Sequence, residues 1–86
     1  MRIEFTNRRH SVAAARIAFE AHVDDRPVWC SVSMDALNTR FGNEGTSSSS
    51  LLSAFDANRP TIERAARHAL SKNGGQSLEL EPGDFS

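Results

Sequence analysis

The side chains able to do chemistry are few and scattered. His10, His22 and His68 stand far apart on different predicted elements, so they do not form the close cluster of histidine, cysteine and carboxylate that a metal centre requires. Cys30 is the single cysteine; it has no intrachain disulfide partner and does not make a structural zinc site alone. By alternation it falls on the inward side of a strand, where cysteine acts as a small hydrophobe and a reactive thiolate is not expected. Serine, histidine and aspartate are present, but in no nucleophile elbow, Walker loop or His-Glu-x-x-His motif. Gly42, Gly45, Gly74, Gly75 and Gly83 have no phosphate-cradling spacing. The expectation is a protein that is not an enzyme, with no catalytic, cofactor-binding or metal-binding residue and no cofactor.

Residues that could bind are more informative. Trp29 alternates with Cys30 and so faces away from the core, on the side of Ala14, Arg16 and Ala18. There it packs on neighbouring side chains or marks a contact surface, since aromatics are enriched at interfaces. Arg59 interrupts an apolar helical stripe between Phe55 and Ile62. It turns to solvent at Pro60, snorkels to the rim, or is held inward by a carboxylate. The preferred reading is the third, with Glu4 or Asp84 as the partner, since guanidinium pairs bidentately with carboxylate; an anionic ligand in the same place is a further alternative. Arg64, Arg67 and Lys72 share the helix and could touch a phosphate backbone, although Glu63 pairs at i,i+4 with both Arg59 and Arg67. The run Ser47 to Ser50 could accept phosphate at a helix start; the plainer reading is a loop ending in an N-cap.

The elements that must position these residues follow from periodicity. Strands are predicted over residues 2–5, 12–23 and 28–32, the second from six apolar odd positions and the third opened by Pro27. Asp24 and Asp25 supply the turn between the last two. Ser33 as N-cap, helical spacing of Met34, Leu37 and Phe41, and Gly42 beyond the end predict a short helix over 34–41. A longer helix is predicted over 49–72 on the stripe Leu52, Phe55, Ile62, Ala66, Ala69. Pro60 either bends it or divides it, with Asn58 as a second cap. A last strand is predicted over 77–81, where Leu78 and Leu80 alternate with polar residues. The order β-β-β-α-α-β predicts an α+β two-layer sandwich: an antiparallel sheet with a short and a long helix on one face. Leu37, Leu52, Phe55 and Ile62 are its expected cover.

Eighty-six residues make one domain, residues 1–86. Ten Lys and Arg against eleven Asp and Glu give a net charge of −1, which argues against a bulk electrostatic grip on nucleic acid or anionic membrane. No apolar run resembles a signal peptide or membrane span, so no membrane partner is expected. With one cysteine, a cytoplasmic location is the expectation.

The segment Val28-Trp29-Cys30-Ser31-Val32-Ser33, then Ala36-Leu37, Phe41-Gly42, Leu52, Phe55, Asn58-Arg59, Ile62 and Ala66, resembles a family of short bacterial proteins known as domain of unknown function 1488. The resemblance runs from Ile3-Glu4-Phe5 to Asp84-Phe85 and implies a small α+β domain; it carries no catalytic residue. The function expected is a small non-enzymatic regulatory or protein-binding module, meeting a protein partner or a second copy as a weak homodimer. The alternative is a nucleic-acid-associated regulator using the Arg64/Arg67/Lys72 helix.

Overall fold

Two chain reversals set the first three strands. Ala15 has φ 55°, and Asp24 and Asp25 have φ 51° and 69°, left-handed values that aspartate tolerates and a two-residue hairpin loop demands. The structure, a computed structural model, describes residues 1–12, 15–45 and 47–85. Strand β1 (Ile3–Val12) pairs antiparallel with β2 (Arg16–Val23), which pairs antiparallel with β3 (Arg26–Ser33).

The first strand is longer than its alternation suggested, and Val12 closes it opposite Arg16 instead of opening the second. The reason is a β-bulge. The register passes from Phe5 opposite Ala21 to Arg9 opposite Phe19, so Thr6, Asn7 and Arg8 stand against Glu20 alone and the period of two is lost. Ala13 and Ala14, also assigned to the second strand, lie outside the described residues.

Helix α1 (Met34–Phe41) starts at Ser33, whose hydroxyl accepts from the Ala36 amide at 3.1 Å, and ends at Gly42 with φ 67°. The helix expected over 49–72 is two helices, α2 (Ser48–Ala57) and α3 (Arg59–Asn73). Asn58 at φ −119° breaks the ladder, and its side-chain amide turns back to donate to the Ala54 carbonyl at 2.9 Å. Pro60 then falls in the first turn of α3, where its missing N–H leaves no hydrogen bond unmade. The buried stripe nonetheless keeps its phase across the break: Leu51 and Leu70 are buried with Phe55, Ile62 and Ala66, in place of Leu52 and Ala69.

Strand β4 (Leu78–Leu80) lies beside β3, and a short 3-10 turn (Pro82–Phe85) follows. The sheet order is β1-β2-β3-β4, and β4 runs parallel to β3. The sheet is therefore mixed, not purely antiparallel, because three helices carry the chain back across the sheet before it pairs again. Ile17, Phe19, Val23, Cys30, Val32 and Leu80 point to one side. They form one buried cluster with Leu37, Leu51, Phe55, Ile62 and Leu70 from the three helices. The fold is α+β, with the helices packed on a single face. Among the described residues no helix is long and apolar enough to cross a membrane.

Candidate functional site

The same alternation that turns Ile17, Phe19, Ala21 and Val23 toward the helices turns Arg16, Ala18, Glu20 and His22 away from them. Their cross-strand neighbours are His10 and Val12 on β1, Pro27, Trp29 and Ser31 on β3, and beyond Ser31, Glu79 on β4. Trp29 is 36% exposed, an exposed large hydrophobic residue on a sheet face that no described helix covers.

Trp29 is not isolated. Its ring centroid lies 5.3 Å from that of His10, tilted by 60°. The two rings come from strands on either side of β2, above the row where Ala18 offers only a methyl group. Glu20, directly opposite Trp29, is 5% exposed. A carboxylate in this position must be hydrogen-bonded: the Thr6 hydroxyl donates to its Oε1 at 3.0 Å, and His22 Nε2 stands 3.5 Å from the same oxygen. Beside Trp29 a shallow groove of about 370 Å³ runs between Ala18, Ser31, Ser77, Leu78 and Glu79.

Arg16 closes the far side of this face. Its side chain is 14% exposed. It donates through Nε to Ser31 Oγ at 2.9 Å and through Nη2 to the Leu80 carbonyl at 3.2 Å. It also pairs with Glu81 at 2.7 Å and Glu79 at 3.4 Å. One guanidinium thus ties β4 to β2 across β3.

The basic residues of α3 have different roles. Arg59 pairs with Glu63 of its own helix at 2.6 Å, donates through Nη2 to the Thr6 carbonyl, and lies 5.3 Å over the Phe55 ring. The expected partners are engaged elsewhere: Glu4 with Arg2 at 2.9 Å, and the Asp84 carboxylate with the Glu81 amide at 2.7 Å. Arg67 donates to the Ile3 carbonyl at 2.7 Å and stands 5.4 Å over Phe5. Two turns apart on α3, Arg59 and Arg67 cover backbone carbonyls of the edge strand β1, which would otherwise offer a template for another strand. Arg64 is exposed and borders a second groove, of about 380 Å³, with Thr61, Ala65, His68, Asp84 and Phe85. The structure therefore does not gather Trp29, Arg59, Arg64 and Arg67 into one site. Trp29 lies on the open sheet face, Arg59 and Arg67 at the β1 edge, and Arg64 on the outside of α3.

Three polar features escaped the sequence. Glu20 reads as a solvent-facing alternate, and its burial comes from other strands. Arg16 has its carboxylates 63 and 65 positions away. Arg9, turned to the helix side by the bulge, binds Asp56 of α2 through two bonds of 2.9 and 2.7 Å. These bonds hold the Asp56 carboxyl below its ordinary range.

Cys30 is a buried free thiol whose pKa burial pushes up to about 11, against a smaller opposing pull from a backbone hydrogen bond at Leu78. Among the described residues no group of three or more His, Cys, Asp or Glu is placed to hold a metal ion.

The comparisons with known proteins agree with this architecture. The profile of the family described as "Protein of unknown function (DUF1488)" matches residues 3–80, from the first residue of β1 to the last of β4. The chain is similar to a protein of unknown function from the same family in Shewanella loihica PV-4, known from a crystal structure at 1.60 Å resolution. The two share 21% identity with a TM-score of 0.81, over 91% of this chain and 90% of that one; at that identity the likeness speaks for the fold. None of the curated proteins is a match. With the profile covering the whole sheet and the helices on it, the chain belongs to the DUF1488 family.

Proposed function

We propose that this protein is a small non-enzymatic binding module, and that it meets a protein partner through the open face of its sheet around Trp29. The observation that carries the reading is an exposed indole in tilted contact with His10, over a face that no described helix covers and beside a groove of about 370 Å³. Tryptophan is the residue type most enriched where partners bind. The non-enzymatic reading is supported by the dispersal of the reactive groups: Cys30 is in the core, while His10 and His22 on the sheet and His68 on α3 lie on opposite layers. The unpaired cysteine speaks for a cytoplasmic setting.

A second copy could use the same face. Both copies would bring Glu4, Glu79 and Glu81 on that face, so such a homodimer would be weak and would strengthen as added salt screens the like charges. The test is a photoreactive phenylalanine at position 29, compared with one at position 68, in living cells. The reading expects adducts from position 29, to one partner or to a second copy, that disappear when Ala18→Arg fills the face. Equal adducts from both positions, or none from position 29, would overturn it.

Nucleic-acid association is the second reading, and Arg64 and Lys72, both exposed on α3, favour it. Arg67 is already engaged with Ile3, so two cations remain for a phosphate backbone. DNA or RNA binding that falls steeply with salt would support it, and no binding at low salt would remove it.

A further inference from the structure

We infer that the groove beside Trp29 receives an arginine or lysine side chain from a basic segment of the partner protein. Its stem would lie along Ala18 and Ser31, and its charged head would meet Glu79. This rests on the open sheet face being the contact surface and adds the chemistry that the surface selects.

The groove sets short side chains beside an indole and a carboxylate. Its floor is small residues from adjacent strands, Ala18 on β2 and Ser31 on β3, which are cross-strand partners. Trp29 borders it on β3, and Ser77, Leu78 and Glu79 border it at the start of β4. At about 370 Å³ it sits near the lower end of the roughly 300–1,000 Å³ range of ligand sites. An aromatic wall leading to a carboxylate suits a cation with an apolar stem. The methylenes pack on the floor, the charge is attracted to the indole face, and the head pairs with the acid.

Glu79 is the acid placed to do this. Its side chain is 70% exposed and lies 3.4 Å from Arg16. Arg16 has closer partners in Glu81 at 2.7 Å and Ser31 at 2.9 Å, so it keeps its hydrogen bonds if Glu79 swings to an incoming cation. The charge of the whole face favours the same sign. Glu4, Glu20, Glu79 and Glu81 stand against Arg2 and Arg16. An acidic partner would meet that surplus with repulsion, and an apolar one would cover Glu79 with only the 3.4 Å contact to Arg16 answering its charge.

Trp29 is the single tryptophan of a chain without tyrosine, so its emission reports on the groove directly. The purified protein is titrated with N-acetyl-arginine amide and N-acetyl-lysine amide, with N-acetyl-norleucine amide and N-acetyl-glutamate amide as controls. The expected result is a saturable change with the two cations, weakened by added salt and weakened about threefold or more in Glu79→Gln. Ala18→Leu, which fills the floor, should abolish it at an unchanged unfolding midpoint. An equal response to norleucine amide, or an undiminished one in Glu79→Gln, overturns the basic chemistry. No saturable response to any probe, with position-29 crosslinking intact, overturns this inference and leaves the contact surface standing; failure of that crosslinking removes the surface itself.

Discussion

At the scale of single residues, Arg9, Arg16, Arg59 and Arg67 tie elements of the fold together, each to its own acceptor. Arg9 reaches from the bulge of β1 to Asp56 on α2, so the carboxyl that answers it titrates lower in the folded state than in the unfolded chain. A depressed carboxyl contributes stability above its unfolded value of about 3.9 and loses it as the pH falls through the folded value. Urea midpoints measured from about pH 5 down to about pH 2 should therefore fall more steeply in the wild type than in Asp56→Asn. Equal slopes would mean the pair contributes nothing to folding. Arg59 and Arg67 donate to carbonyls of the edge strand. Arg59→Ala strands no buried carboxylate, since Glu63 is partly exposed, so it should cost about 1–2 kcal/mol, less than the loss of a buried ion pair. Thermal unfolding of Arg59→Ala checks this, and the double variant with Arg67→Ala should also aggregate sooner by exposing β1.

At the scale of elements, what was legible in the sequence is what local chemistry decides. Ser33 and Gly42 bracket α1 because a cap and a left-handed residue act within one turn. Asp24 and Asp25 mark the hairpin for the same reason. The bulge in β1 was hidden because a run of Thr-Asn-Arg-Arg shows no period. The division of the long helix was hidden because the apolar phase runs straight across Pro60. The direction of β4 depends on how many times the chain crosses the sheet, which no short window reports. Trp29 was placed by alternation alone; Glu20 needed its neighbours on β1 and β3. Phe55 of α2 is fully buried, with its ring centroid 5.2 Å from that of Phe19. Phe55→Ala should cost about 3–5 kcal/mol, against a total of about 5–10 kcal/mol for a domain of this size. An unchanged denaturation midpoint would mean that α2 is not part of the core.

The whole molecule is two-sided. One face of the sheet carries every described helix and the buried hydrophobic cluster; the other carries an indole, two imidazoles and a surplus of carboxylates. The two edges differ as well, β1 closed by helix arginines and β4 only three residues long. The role assigned to the open face depends on its being uncovered in the free protein, and the lone tryptophan reports on that directly. Acrylamide quenching of Trp29 emission, compared with the same chain unfolded in guanidinium, is the decisive measurement. A side chain 36% exposed predicts emission shifted toward that of the unfolded chain and a quenching constant between those of a buried and a free indole. Blue-shifted emission that acrylamide does not quench would show the face to be covered, and would contradict both the packing described and the function drawn from it.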